Sequence, residues 1–545
     1  MTAPALDRFD VARLELEAEW RGWVEEAQSP PEIEVYDKDW WPVGHARMVI
    51  DGEVEDTKNG AGEGRVRLYG EDPIARWMAD DLPEASDVHL RVVQGANVWT
   101  GKAHTIDEQM DESGIETVTW EGLHDWQHAK KVYCYPNPWQ PAQFQWPKIY
   151  IWYGPARTGI LQLLHVNLIR RYQSGFIPYP DNFSPASYQR MNIDDWAQIV
   201  DPRGLNMWSD PTMHTVIVTR MGRFDEIVKP ILEDAGLMLK ATRWLPGDPQ
   251  PFPEHATLRL PTLIWSVVET GGVRGATGSM LDGFVQMVRS IAIDGITETT
   301  EAVPYDPPAE YMENQWGTKV AAPAAVFYRA QQWTKIEGSG QVGVRRWNRR
   351  VHKALGYAIL TGGKSPGWLN TGIKALVNAA LGWIGMIFMT PGLTLGLLDD
   401  QVEDVVLAFW RHGFKSRGED MGRDRYGEVW ETTGSTGFSI STIAAVRAGS
   451  NATKPYTSYE LEIVNGAPYM VGRHIDLGDP VSAEIGRSGR LYTDELRTKR
   501  TEFDASGVRL VIAIGVDSEE KSAAARLGRL LESVKQVTQA LAVQS

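Results

Sequence analysis

His124 and His128, in the run HDWQH, carry the spacing that sets two imidazoles on one face of an α-helix. Helices of the H-E-x-x-H type hold zinc in this way, with the intervening glutamate as general base. No glutamate stands between this pair and no third ligand is evident nearby, so they read as core or surface histidines. The single cysteine, Cys134, sits among aromatics in VYCYPNPW, without the Cys-His pattern of an amidase or endopeptidase. Gly338-Ser339-Gly340-Gln341 lacks the lysine of a phosphate-binding loop, and no G-x-S-x-G elbow occurs. Carboxylates are adjacent at Asp194-Asp195 and Asp399-Asp400. A glycosidase instead needs them facing each other across a substrate, about 5 to 9 Å apart. The sequence therefore predicts no catalytic residue, no cofactor and no metal ligand.

The elements available to position any such group are mostly short strands. A chain of 545 residues exceeds one hydrophobic core and should divide into about three or four domains. Gly (52) and Pro (31) are plentiful, which suits many strands and turns better than long helices. One cysteine excludes an intramolecular disulfide framework and fits folding in a reducing cytoplasm. The acidic N-terminal run MTAPALDRFDVARLELEAEW contains no apolar core of signal-peptide length. A net charge of −16 argues against tight DNA binding, which needs a basic face. The same charge suits either a conduit wall that repels phosphate or simple solubility.

Residues 1 to 130 read as β-rich. Strand-like runs cover Glu32 to Tyr36, Met48 to Val54, His89 to Val93, Asn97 to His104 and Ile115 to Gly122, with a helix at Pro73 to Asp81. Aromatics and prolines dominate Trp126 to Trp152, an irregular connector. A helix from Ala156 to Arg171 carries Ile160, Leu163, Leu164 and Leu168 on one face. Further on, Val216 to Val218 reads as a strand and Arg223 to Ala235 as a helix closed by Gly236. Strands are expected again at Leu237 to Trp244, Thr262 to Thr270, Gln286 to Ile293 and Val326 to Lys335.

From Ala375 to Leu398 there is no ionisable side chain. Its apolar positions include Leu376, Leu381, Trp383, Ile384, Met386, Ile387, Phe388, Met389, Leu393 and Leu395. Pro391-Gly392 interrupts the run after sixteen residues, short of the ~20 that a spanning helix needs. A buried hairpin, a plug or tip loop meeting a membrane or the hydrophobic end of another protein, and a membrane anchor are all compatible with it. In every case a partner must cover such an apolar area. Upstream, Val342 to Lys353 interleaves arginines with Trp347, as a solvated face or a surface that pairs with acidic residues of a neighbouring subunit, lipid or DNA.

At the C-terminal end, YELEIVNG stops at Asn465-Gly466, a dipeptide that tolerates positive φ. A strand through Tyr469, Val471 and Ile475 runs to Leu477-Gly478-Asp479-Pro480, and another follows from Val481 to Ile485. Leu491 to Phe503 and Val508 to Val516 should pair across Asp504-Ala505-Ser506-Gly507. Leu527, Leu530, Val534, Val537 and Leu541 then form a two-heptad apolar stripe, a candidate oligomer interface.

The order of strand, LGDPV turn, strand, hairpin and terminal helix resembles the closing segment of the tail-hub proteins of long-tailed actinobacteriophages. At the N-terminal end EIEVY, MVIDGEV and RVRLYGEDPIARWMADDL resemble the same family. The resemblance implies an α+β, β-rich fold with two small antiparallel β-barrel tube-type domains, mixed α/β domains and the apolar insertion. The expected division is a barrel at 1–130, a connector at 131–210 and a mixed α/β domain at 211–305. A linker with the apolar hairpin 375–398 follows at 306–435, then a second barrel at 436–526 and the terminal helix at 527–545. It further implies a homotrimeric ring at a siphovirus tail tip, assembled in the host cytoplasm, with DNA passing through its lumen without tight binding. The implied partners are the distal tail protein ring, the tape-measure protein, other minor tail or tip proteins and, transiently, the host envelope. The alternatives are a tail-tip cell-wall hydrolase and a membrane-active ejection protein working through the hairpin.

Overall fold

The computed structural model describes residues 8–172, 193–270, 273–274, 311–313, 319–321, 325–327, 344–362, 409–431, 453, 455–466, 469–484 and 491–515. The chain opens with helix α1 (Arg8–Gln28), which the sequence reading did not anticipate. Seven strands follow: β1 (Glu32–Tyr36), β2 (Pro42–His45), β3 (Val49–Thr57), β4 (Glu63–Tyr69), β5 (His89–Gln94), β6 (Asn97–Met110) and β7 (Glu116–His124). Period-two burial makes them strands. Val66 and Leu68 of β4 and Leu90 and Val92 of β5 are buried, while Arg65, Arg67, Arg91 and Val93 between them are part exposed. The elbow after β4 is built on Asp72. Its side chain accepts the backbone N–H of Ile74, capping α2 (Pro73–Arg76), and those of Arg47 and Met48, each at 2.8 Å. A π turn, Trp77–Asp81, continues α2, so the helix expected at Pro73 to Asp81 is two short pieces.

The middle of the chain runs β8 (Tyr150–Pro155), α3 (Ala156–Tyr172), β9 (Gln198–Val200), β10 (His214–Thr219), α4 (Phe224–Asp234), β11 (Leu237–Trp244) and β12 (Thr262–Glu269). Ile160, Leu164 and Leu168, spaced by one helical turn, are fully buried along α3. Helix α4 ends at Gly236, whose φ of +63° is the left-handed geometry its position after the helix calls for. One core packs residues from Trp126 to Val267, so it crosses residue 210.

Beyond it lie β13 (Val273–Arg274), β14 (Tyr311–Glu313), β15 (Lys319–Ala321), β16 (Ala325–Phe327), β17 (Val344–His352), β18 (Ala358–Gly362) and β19 (Phe409–Gly413). Then come α5 (Lys415–Asp420), β20 (Glu428–Glu431), β21 (Tyr456–Ile463), β22 (Pro480–Glu484), β23 (Leu491–Asp504) and β24 (Gly507–Ile514). The β23–β24 hairpin closes with Asp504 opposite Gly507, at the expected turn. Tyr469 to Ile475, expected as a strand, is a turn instead, with one bridge between Val471 and Ile475. Gly472 explains it: its φ is +88°, and a Cβ there would stand 2.9 Å from the carbonyl oxygen of Ala96. This turn is a docking point for the β5–β6 turn.

The two ends of the chain share one sheet. Its strand order is β17-β21-β24-β23-β3-β4-β7-β6-β5-β1-β2, with β22 and β16 branching from β23. The junction is β23 against β3, antiparallel over seven residue pairs from Thr498–Thr57 to Asp504–Asp51. Among the described strands the path is open, ending at β17 and β2, and no barrel closes. Among the described residues, no helix is long and apolar enough to cross a membrane. The apolar run 375–398 and the stripe Leu527, Leu530, Val534, Val537 and Leu541 lie outside the described residues.

Candidate functional site

The residues first singled out for chemistry are engaged in structure. His124 precedes a 3-10 helix, Asp125–Lys131, so the α-helical geometry that would align it with His128 is missing. Its Nδ1 accepts the Trp126 backbone N–H at 3.2 Å. Arg243 instead engages Asp125, which stands between the two histidines in sequence. Its Nη2 and Nε lie 2.9 and 3.0 Å from the two oxygens of Asp125, and Thr100 donates to the same carboxylate at 2.8 Å. Burial would raise the Asp125 carboxyl, but Arg243 overrides it and holds the group well below the usual carboxylate range. Burial pushes His128 down to about 4 despite Asp125 beside it. Burial likewise pushes the Cys134 thiol up, away from reactivity. Asp194 accepts from the Thr257 backbone at 3.2 Å, and Asp399-Asp400 and Gly338 to Gln341 lie outside the described residues. Glu32, Glu34 and His45 come within 4.8 Å of one another on β1 and β2. Their Glu34 is already bonded by Tyr36 and by Arg91 at 3.1 Å.

The densest polar construction is the joint where the two ends and the middle of the chain meet. Arg497 on β23 reaches Glu233 of α4 with both Nη atoms, at 2.8 and 2.7 Å. Asn59, after β3, donates to Glu233 and to the Leu237 carbonyl, each at 3.1 Å, and accepts the Leu239 N–H at 2.9 Å. Its φ of +55° aims that side chain, in a left-handed geometry asparagine tolerates. Lys58 pairs with Glu495 at 2.8 Å. A second knot holds Lys499 between Asp476 and Asp56, at 2.8 and 3.4 Å, while Lys240 reaches Asp476 at 3.0 Å.

Arg497, Glu233, Lys58 and Lys499 are buried and their charges are compensated, while Lys240 stays exposed. Burial would raise Glu233 and lower Arg497, yet each partner drives the other the opposite way, so both stay ionised. Burial would also lower Lys499, but Asp56 and Asp476 hold it above its ordinary value. A pocket of about 210 Å³ opens beside the second knot, lined by Asp56, Asn97, Lys240, Asp476 and Lys499 among others. The joint ties three chain segments together through paired charges. Sequence reasoning missed these residues. The legible signal was Arg497, Lys499, Thr501 and Phe503 at every second position, a strand whose inward face begins charged and ends apolar.

The surface carries one further built feature. In the connector, Gln145 donates to the carbonyls of Gln140 and Pro141 at 2.8 and 3.0 Å, and Trp146 N–H donates to Gln140 at 2.6 Å. This amide bracing leaves Phe144 and Trp146 facing outward, 67% and 71% exposed.

A family model described as Siphovirus ReqiPepy6 Gp37-like protein matches residues 32–516, spanning both sides of the joint. The chain belongs to that family. It is 26% identical to the minor tail protein Gp28 of Mycobacterium phage L5 over 581 residues, covering 94% of each chain. To Gp28 of Mycobacterium phage D29 it is 26% identical over 590 residues, covering 95% of each. Among solved structures, the 43 kDa tail protein of prophage MuSo2 from Shewanella oneidensis aligns over 90% of this chain and 99% of its own, at 9% identity and a TM-score of 0.39. Agreement at that level decides nothing about the fold. Family membership and the full-length relatives establish a siphovirus minor tail protein, a component of the virion tail.

Proposed function

We propose that this siphovirus minor tail protein is the hub of the tail tip. Three copies close a ring that joins the distal tail tube to the tip, and DNA leaves through its lumen. The observation that carries this reading is the β3–β23 pairing, with the Arg497–Glu233 clamp behind it. It joins the N-terminal and C-terminal β modules in one sheet, so each copy would present two linked modules. Three such copies would match a six-fold ring of distal tail protein, through interfaces that close by rotation. Under this reading the modules at 1–130 and 436–526 are of the tube type.

Supporting features are the net charge of −16, suited to a lumen that does not grip DNA, and the outward Phe144 and Trp146, residue types favoured as interface anchors. The role is structural, and the partners are the protein itself, the distal tail ring, the tape-measure protein and other tip proteins. In that assembly, neighbouring copies, the tape-measure protein or transiently the host envelope cover the apolar run 375–398, and Leu527 to Leu541 pack between copies. Imaging of the assembled particle with the protein tagged, together with its cross-linked mass, tests this. Density at the tip and a trimer mass are expected; a stable monomer at micromolar concentration, or density elsewhere in the tail, would count decisively against it.

A further inference from the structure

Strand β17 is an end of the sheet, paired among the described strands only with β21. Arg345, Arg346, Arg349 and Arg350 on it are all exposed, and Lys353 follows, also exposed. Directly across from Trp347 and Arg349 stand Leu461 and Tyr459 of β21, which are buried in the C-terminal core. Residues opposite one another in an antiparallel pair share a face. The core face of the sheet therefore continues onto β17, where Trp347 and Val351 remain 40% and 43% exposed. Arg349 shares that face with Trp347 and Val351, while Arg350 and Arg346, which reaches Glu462 at 3.7 Å, lie on the opposite one. A strand that ends the described sheet thus carries apolar and basic groups together, a surface suited to a partner.

The same chain carries a surface of matching chemistry. The outer edge of β6 is unpaired beyond Lys102 among the described strands, β4 flanks β7 as far as Thr117, and the turn Asp111 to Ile115 stands beyond both neighbours. From Asp107 to Glu116 the hairpin has five acidic residues and no basic one. Met110 and Ile115 at its tip are 69% and 46% exposed, and Asp111 holds the turn by accepting the N–H groups of Ser113 and Ile115. The hairpin tip thus sets one apolar side chain on each face among carboxylates, and β17 sets Trp347 and Val351 among cations on the same strand. Within one chain the surfaces are six strand steps apart, roughly 29 Å along the sheet at about 4.8 Å per step. Screening at physiological salt acts over about 8 Å, so neither surface neutralises the other within one chain.

We propose that β17 of one copy receives the acidic β6–β7 hairpin of a second copy. The interface is heterologous and generates a ring by repetition. This rests on the hub reading and names the surfaces through which copies would meet. Electrostatic complementarity of this kind sets register and makes association salt-sensitive.

The test is sedimentation of the full chain, at low and high salt, as wild type and as two charge-reversed variants, R349E/R350E and E108K/E112K. Asp111 is left intact so that the hairpin turn survives. Each variant alone is expected to self-associate about tenfold or more weakly than wild type, and mixing the two should restore association between them. The doubly reversed chain carrying all four substitutions should again associate with itself, which excludes misfolding as the cause. Wild-type association in both variants would overturn the proposed docking while leaving the hub reading standing, whereas a wild-type monomer at every salt would remove both. Titration with fluorescent duplex DNA completes the test. Binding lost in R349E/R350E with self-association unchanged would assign the basic strand to nucleic acid and overturn the proposal.

Discussion

Arg497 is the residue on which the joint depends, because removing it leaves Glu233 as a carboxylate that is buried with only Asn59 and the Lys58 charge nearby. Breaking a buried pair by deleting one partner typically costs about 3–5 kcal/mol. Arg497→Leu should therefore destabilise the protein by that amount in urea unfolding; a loss under about 1 kcal/mol would mean that the pair is not buried as described. His89 sets a pH limit. It stacks on Trp40 at 4.4 Å, and burial pushes its imidazole from 6.5 down to about 4, as it does His128. Between those values the unfolded chain takes up a proton that the folded chain refuses, so stability is complete above pH 6.5 and is lost as pH falls toward 4. Melting temperature should fall across that window. His89→Phe, which keeps a ring against Trp40, should flatten the fall; an unchanged slope would show that His89 is not the titrating group. Glu233 and Asp476, held below their ordinary values of 4.5 and 3.8, add a separate loss at still lower pH.

Among the elements, the β3–β23 ladder is where packing tolerates least. Phe503 from β23 is buried in the core of the N-terminal module, and a Cβ on Gly52 of β3 would stand 2.4 Å from its Cζ. A ring packed on all sides cannot retreat as a flexible chain end would. Gly52→Val is expected to destabilise by about 1–3 kcal/mol and to raise protease sensitivity at the ladder. An unchanged melting temperature would show that Phe503 has room to move. On the other side of β23, its pairing with β24 slips register between Leu496 and Thr498. There Leu496 and Arg497 are both buried, one in the C-terminal core and the other on Glu233. At the other end of the chain, α1 docks by its last turns: the Trp23 ring lies 4.6 Å from His474, and Arg473 stacks over it.

For the whole molecule, the joint predicts that the covalent path between the halves is dispensable once folding is complete. With a protease site inserted between Thr300 and Glu301 and then cut, the two fragments should co-elute, held by the β3–β23 pairing and the Arg497–Glu233 and Lys58–Glu495 pairs. Separate elution under native conditions would show that the clamp is weaker than its burial implies. Much of the local structure was legible beforehand. The span of β1, the turn at Asp504 to Gly507, the buried face of α3 and the stop at Gly236 all follow from periodicity and turn chemistry, which neighbouring residues encode. The family resemblance was carried by those same local patterns at the two ends. What sequence could not supply was which surface covers which. Glu233 and Arg497 are 264 positions apart, α1 closes over a module from the opposite end, and Gly472 turns because Ala96 arrives from elsewhere. An alternating strand declares that one face will be buried; only the tertiary fold decides against what, because that choice is made by contacts the chain forms after long loops have closed.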